Sequence, residues 1–136
     1  MLLDQKSRLT VPARYREELM EKAGGKMVLC KNPDHCLSLF PAPTWERFEA
    51  DIKELTINDD GWRRLYIGSA IDVEIDSGSR VLIPQELRTW ANLDKEVKFM
   101  GVGSSFELWD NAVYEAREAE LIAIGRPEAV RNIVIR

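Results

Sequence analysis

The stretch that decides the fold is LDQKSRLTVP, from Leu3 to Pro12, because the chain contains a second version of it, IDSGSRVLIP, from Ile75 to Pro84. The second copy follows the first at a distance of 72 residues. Identical residues occupy five aligned positions: Asp4 with Asp76, Ser7 with Ser79, Arg8 with Arg80, Pro12 with Pro84, and Arg16 with Arg88. Two copies of one motif in 136 residues indicate a single domain built from two similar halves.

The similarity between the halves continues well beyond the motif. The segment LSLFPAPTWE, residues 37–46, aligns with FELWDNAVYE, residues 106–115. Each half therefore repeats a whole unit, consisting of a turn, a short strand, a helix, a hairpin and a second helix. The sequence predicts a β-rich α+β fold in four parts: a first repeat at 1–55, a helical connector at 56–69, a second repeat at 70–124, and a C-terminal tail at 125–136.

Residue types at the segment ends predict where the elements begin and stop. Pro12 and Pro84 favour the first position of a helix in each copy, and the GG pair at 24–25 and Asn92 favour helix ends. The alternating segments 26–40 and 96–109 read as hairpins. We also predict second helices that are capped by Thr44 and by Asp110 and keep an apolar face inward as far as Leu55 and Leu121.

The two copies differ at their beginnings. The strand AIDVEI, from Ala70 to Ile75, precedes the second turn, whereas the first copy keeps only Met1 to Leu3. An unpaired strand edge beside a functional turn is a liability for a protein. We therefore expect that the natural start lies upstream of Met1.

The charge balance bears on possible partners. A net charge of −4 and a pI near 5.1 argue against a protein that coats nucleic acid indiscriminately. Residues 1–16 nevertheless carry a net charge of +3, from Lys6, Arg8, Arg14 and Arg16 against Asp4. The chain has no apolar run near the roughly 18 residues of a membrane span and only two cysteines, so we expect a cytoplasmic protein with no membrane partner.

The repeated turn admits a structural and a functional interpretation. Asp4 and Asp76 can accept hydrogen bonds from backbone N–H groups, and Ser7 and Ser79 suit a positive φ. A purely structural turn would not require Arg in both copies, because Lys, Thr or Val serves equally well at a strand start. The planar fork of Arg holds a phosphate or a guanine edge, and paired basic turns on one face are how β-ribbon proteins meet duplex DNA.

Other candidate signals are weak. Cys30, His35 and Cys36 fall short of the four ligands of a structural zinc site, so we expect no metal and two inward-facing thiols. The segment GVGSSF, residues 101–106, lies between predicted strands and reads as a hairpin turn and not as a phosphate loop. With a single His, no catalytic triad is complete. We expect neither a cofactor nor catalytic residues, and hence no enzyme.

The sequence resembles the MraZ family of bacterial DNA-binding regulators. The resemblance runs from LDQKSRLTVPARYREEL through VEIDSGSRVLIPQELR and LDKEVKFMGVGSSFELWD to about Ile124. It implies two tandem AbrB-like repeats, interleaved into one swapped-hairpin β-barrel with flanking helices. The chain departs from the family at Ser7 and Ser79, where Gly is usual, and at Gly78, which matches Lys6 of the first copy.

The resemblance also implies a function. It implies a nucleoid-associated transcription factor that binds tandem promoter repeats of the division and cell-wall gene cluster as a ring of identical subunits. It places the DNA contacts at Arg8, Lys6 and Arg80, to which we add Arg14 from the basic segment, and assigns the holding of the turns to Asp4 and Asp76. A protein-interaction module like the antitoxins of this fold is the alternative.

Overall fold

A computed structural model of the chain describes residues 1–133. Its strands are β1 (Arg8–Thr10), β2 (Lys26–Asn32), β3 (Cys36–Pro41), β4 (Ile71–Glu74), β5 (Arg80–Leu82), β6 (Val97–Gly101) and β7 (Phe106–Asp110). Its helices are α1 (Ala13–Ala23), α2 (Ala42–Lys53), α3 (Asp60–Tyr66), α4 (Gln85–Trp90), α5 (Asn111–Ile124) and α6 (Glu128–Arg131), and a 3₁₀ turn spans Ile57–Asp59. The hairpins predicted from sequence are present as β2–β3 and β6–β7.

The strands form two antiparallel sheets that exchange elements between the halves. One sheet has five strands in the order β4-β2-β3-β7-β6, and the other contains only β1 and β5. Strand β4, from the second half, pairs with β2 of the first, while Leu2 of the first half forms a bridge with Glu96 of the second. The halves are therefore interleaved. Within residues 1–133 the ladders do not close into a barrel, so the closed barrel predicted from the resemblance is not confirmed.

Buried side chains form a separate hydrophobic cluster on each face of the five-stranded sheet. On one face, Met27 and Leu29 of β2 join the large cluster that contains β1, β5, α1 and α4. On the other face, Val28 and Cys30 pack with Phe40 and with residues of α2 and α3. Because β2 is covered on both faces, its sequence reads as a continuous apolar run instead of alternating.

The thiols of Cys30 and Cys36 are both buried and both free, as the sequence predicts. Burial raises the pKa of the Cys30 thiol to about 12. The pKa of Cys36 is also raised, mainly by burial and further by the carboxylates of Glu107 and Asp34. Both side chains therefore behave as small apolar groups of the core.

Two of the predicted helix starts need correction. Pro12 and Pro84 occupy the residue before each helix, with φ of −54° and −60°, and not the first helical position. Helix α2 begins at Ala42, after Pro41, so Thr44 is not its cap but lies inside its first turn. The fixed φ of Pro41 and Pro43 explains the earlier start. Asp110 does cap α5, because its carboxylate accepts a hydrogen bond from the Val113 N–H at 3.0 Å.

The buried faces of α2 and α5 are shorter than the sequence predicts. Trp45 of α2 is buried, but Leu55 lies beyond the end of that helix and is exposed. On α5 every residue from Glu115 to Ile124 is exposed, including Leu121 at 65%. Only the first turn of α5 is covered by the sheet, and its apolar spacing continues over a surface that nothing in residues 1–133 buries. None of the helices in this range is long and apolar enough to cross a membrane.

Candidate nucleic-acid interface

The first repeated motif folds as a three-residue loop between Asp4 and Arg8. The Asp4 N–H donates to the Arg8 carbonyl at 2.9 Å, and the Ser7 N–H donates to the Asp4 carbonyl at 3.0 Å. The Asp4 carboxylate oxygen Oδ1 accepts hydrogen bonds from the N–H groups of Lys6 and Arg8, both at 2.9 Å. Ser7 has a φ of 63°, the left-handed conformation that such loops require at their last residue.

The second motif repeats this backbone geometry. The Oδ1 atom of Asp76 accepts from the N–H groups of Gly78 at 2.8 Å and Arg80 at 2.9 Å, and Ser79 also has a φ of 63°. In both turns these hydrogen bonds, led by the one from the Arg N–H, lower the pKa of the Asp carboxyl. Both carboxylates are thus ionised at neutral pH and fix the backbone from which the Arg side chain leaves.

The two turns lie at opposite ends of the β1–β5 ladder, which we call the ribbon. Its central pair is Leu9 opposite Val81. At one end the Val11 N–H donates to the Ser79 carbonyl at 2.9 Å, and at the other the Ile83 N–H donates to the Ser7 carbonyl at 3.0 Å. The ribbon is therefore close to twofold symmetric, and each turn is anchored to the strand that follows the other turn.

The ribbon has a buried face and an outward face. Leu9 and Val81 are 1% and 3% exposed and belong to the main core. Strand residues alternate between faces, and residues paired across a ladder share a face. The register therefore places four side chains on the outward face: Arg8 opposite Leu82, and Thr10 opposite Arg80.

The two arginine side chains are held differently. Arg8 Nε donates to Asp4 Oδ2 at 2.9 Å. Arg80 Nε lies 3.4 Å from Asp76 Oδ2, and this nitrogen is buried without a hydrogen-bond partner in residues 1–133. The Arg80 guanidinium instead folds over Gly78, where a Cβ would meet its atoms at 2.8–3.1 Å. The absence of a side chain at residue 78 leaves room for this pose of the guanidinium, in which the Arg80 side chain is 34% exposed, compared with 26% for Arg8.

The remaining basic residues of the first segment are not neighbours of Arg8. Arg16 donates through Nη2 to the Val11 carbonyl at 2.8 Å, and its counterpart Arg88 donates through Nε to the Ile83 carbonyl at 2.9 Å. These two arginines tie each helix to the strand before it. Exposed Arg14 stacks on the Tyr15 ring at 4.8 Å and lies three residues beyond Val11, which pairs with the second turn. The local charge of +3 is therefore divided between both ends of the ribbon.

Comparison with known proteins decides the family. The family model described as "MraZ protein, putative antitoxin-like" matches residues 1–65 and again residues 66–134. The chain belongs to the MraZ family. The "Transcriptional regulator MraZ" of Cupriavidus taiwanensis is 49% identical over 130 residues, covering 96% of this chain and 92% of the relative. The protein of the same name from Burkholderia cenocepacia is 48% identical over 132 residues, covering 97% and 93%.

Membership of the MraZ family confirms the resemblance seen in the sequence and the presence of two tandem repeats. It also confirms that the chain is not an enzyme, since this is a family of transcriptional regulators. Within residues 1–133 no group of three or more His, Cys, Asp and Glu side chains is arranged to hold a metal ion.

Sequence reasoning missed two residues of the outward face, Thr10 and Leu82. Both follow the motif Arg by two positions, and the alternation of β1 and β5 was the signal that could have identified them. Attention to charge alone left them out, because neither side chain is basic. The structure places them directly across the ladder from Arg80 and Arg8.

Proposed function

We propose that the protein is a sequence-specific regulator of transcription that binds double-stranded DNA through the outward face of the ribbon. The observation that carries this proposal is the delivery of Arg8 and Arg80 to one face by two Asp-anchored turns of identical backbone. The names of the relatives support a role in transcription. Lys6 and Arg14, both exposed, add positive charge at the two ends of that face.

The dimensions of the ribbon suit duplex DNA. Arg8 and Arg80 are diagonal neighbours in the ladder, a relation that corresponds to about 7–8 Å between residues. Phosphates on one DNA strand are about 3.4 Å apart along the axis, so this spacing corresponds to about two base-pair steps. The major groove is about 12 Å wide and admits a two-stranded ribbon. Each Arg can then hold a guanine edge or a phosphate through its planar fork.

In this proposal Asp4 and Asp76 hold the turns and do not merely neutralise the arginines. Each carboxylate accepts two backbone N–H groups, one of them from the Arg itself. Ser7 and Ser79 provide the positive φ that closes the loop. The direction in which Arg leaves the backbone is therefore fixed before DNA arrives, which lowers the cost of ordering it on binding.

The biological setting follows the family resemblance. We propose that the targets are tandem repeats in the promoter of the division and cell-wall gene cluster, and that the protein acts in the cytoplasm on the nucleoid. The acidic chain, with its net charge of −4, favours this selective mode over general coating of DNA.

We also propose that the subunits assemble into a ring. A single ribbon contacts few phosphates, whereas several ribbons in one assembly make the later contacts intramolecular and raise the avidity. Exposed apolar side chains at the C-terminal end of the described chain support self-association, because single domains seldom leave such groups uncovered. They include Leu121, Ile122, Ile124 and Val130.

The interleaved ladders support a proposal about architecture as well. In it, repeats 1–55 and 70–124 form one swapped-hairpin barrel, joined by the connector 56–69 and followed by the tail 125–136. Because β4 pairs with β2, and β5 with β1, neither repeat has a complete sheet alone. A fragment that begins at residue 70 is expected to lack the circular-dichroism signal of folded protein. A folded, monomeric fragment would contradict this architecture.

The function is tested by gel-shift titration against the region upstream of the protein's own gene, at two salt concentrations. We expect discrete complexes whose affinity falls as salt rises and as tandem sites are removed from the probe. The double variant Arg8→Ala/Arg80→Ala is the matched control. Equal affinity for this region and for unrelated DNA would argue against a sequence-specific regulator, and a protein-interaction module would then be the better explanation.

A further inference from the structure

Leu82 is anomalous among the residues of its strand. Its neighbours Val81 and Ile83 are buried, whereas Leu82 is 56% exposed on the outward face, at the end of the ladder where it pairs with Arg8. Thr10 holds the matching position in the first copy and is also exposed. Each motif Arg therefore faces, across the ladder, a side chain that carries at least one methyl group: Leu82 for Arg8, and Thr10 for Arg80.

The position of Leu82 matters because of what the major groove offers. Hydrogen-bonding groups line that groove, and its one apolar group is the C5-methyl of thymine. A leucine beside an Arg that reads a base edge meets this methyl without displacing a polar contact. In the free subunit Leu82 instead exposes its apolar surface to water.

We propose that Leu82 is a specificity-determining residue that contacts the C5-methyl group of a thymine next to the base held by Arg8. Thr10 makes the weaker equivalent contact beside Arg80, since it offers one methyl group where Leu82 offers two. The inference rests on the proposed binding of DNA by the ribbon. It adds a base preference that the arginines alone do not supply.

The test uses operator probes in which single thymines are replaced by deoxyuridine. Deoxyuridine keeps every hydrogen-bonding group of thymine and lacks only the methyl. For the parent protein, replacement at the contacted position is expected to weaken binding about fourfold. This is the loss of affinity that corresponds to burying one methyl-sized group. For Leu82→Ala, thymine and deoxyuridine probes are expected to bind alike, at about the parent's affinity for the deoxyuridine probe.

A matched control is Ile57→Ala, which removes another exposed aliphatic side chain, 80% exposed and outside the ribbon. This variant is expected to keep the parent's fourfold discrimination. Circular dichroism and sedimentation of Leu82→Ala are expected to match the parent. A changed sedimentation coefficient would place Leu82 in a contact between subunits and overturn the proposal.

Further outcomes separate this inference from the proposed function. If the parent binds the operator but no deoxyuridine replacement weakens it, or if Leu82→Ala still discriminates, only the methyl contact is wrong. If the parent does not bind the operator specifically, both proposals fall. In a parallel arm, operator cytosines carry a 5-methyl group. Tighter binding there, with no effect of deoxyuridine, would assign the contact to methylated cytosine and overturn the thymine assignment.

Discussion

The two turns of this protein have the same backbone and different side-chain arrangements. Asp4 and Asp76 accept the same hydrogen bonds, and Ser7 and Ser79 share a φ of 63°. Yet Arg8 Nε donates a hydrogen bond to its Asp at 2.9 Å, whereas Arg80 Nε lies 3.4 Å from its Asp and the Arg80 guanidinium packs over glycine. The backbone of the turn is thus set by the repeated residues, and the pose of the arginine depends on the residue two positions before it.

Antiparallel pairing of β1 with β5 also determines which residues lie near each turn. Val11 pairs with Ser79, so the residues that follow the first turn in sequence lie beside the second turn in space. Arg14 therefore lies nearer the end of the ribbon that carries Arg80. Charge counted along a sequence window does not measure the charge around a site when two repeats exchange strands.

The largest expected difference is between Arg8→Ala and Arg80→Ala. Arg8 is oriented by the hydrogen bond that its Nε donates to Asp4, and Lys6 lies two residues before it, whereas Arg80 has a longer contact with its Asp and glycine in place of the lysine. We expect Arg8→Ala to weaken specific binding by about fivefold to 150-fold, the equivalent of about 1–3 kcal/mol for one base contact. Arg80→Ala is expected to cost less. Gel shifts at one salt concentration measure both, and equal losses would refute the inequality.

The next-largest effect distinguishes two roles of Asp4: holding the turn in place, or only neutralising the charge of Arg8. Asp4→Ala removes the acceptor of two backbone N–H groups, so Arg8 is misplaced. The ratio of specific to nonspecific affinity is expected to fall roughly tenfold, equivalent to about 1.4 kcal/mol. Asp4→Asn keeps a carbonyl acceptor and is expected to be mild. Tighter specific binding by both variants would show that Asp4 acts only as a countercharge.

Exchanging the differing residues tests the comparison directly. Lys6→Gly is expected to reduce the slope of log affinity against log salt by about 0.9 for each phosphate that Lys6 neutralises, and Gly78→Lys to increase it by the same amount. The lysine at position 78 also displaces the Arg80 guanidinium, which is the flexible end of its side chain. Unchanged slopes in both variants would mean that position 6 does not contact phosphate.

The smallest expected effect concerns the positive φ that Ser7 and Ser79 share. Serine in the left-handed conformation costs about 1–2 kcal/mol, and glycine loses about 0.5–1 kcal/mol more on folding than other residues. Ser7→Gly and Ser79→Gly are therefore each expected to raise the free energy of unfolding by roughly 0.5–1 kcal/mol. Urea unfolding at a fixed protein concentration measures this, with Ser7→Ala as the control that keeps the strain. A large gain at only one turn would show that the backbones differ.

The sequence predicted what depends on local residue types. It predicted the turns, both hairpins and the Asp110 cap, because these need only nearby chemistry. It failed at Thr44, where two prolines start α2 earlier, and along α5, where apolar spacing continues past the sheet. Alternation alone puts Thr10 on the face of Arg8 and Leu82 on the face of Arg80, but only the long-range register shows that Leu82 lies opposite Arg8 and Thr10 opposite Arg80.

The exchange of strands has a consequence for synthesis on the ribosome. Strand β1 pairs with a strand that begins at Arg80, and the Met1 carbonyl accepts from the Val97 N–H at 2.6 Å. These partners are made long after the residues that need them, and contacts so distant in sequence slow folding. The first turn therefore lacks its contacts with the second half until most of the chain has emerged from the ribosome. The hydrogen bonds within the turn are local, but its place in the ribbon is not, so in the proposed function only a nearly finished chain presents Arg8 and Arg80 on one face.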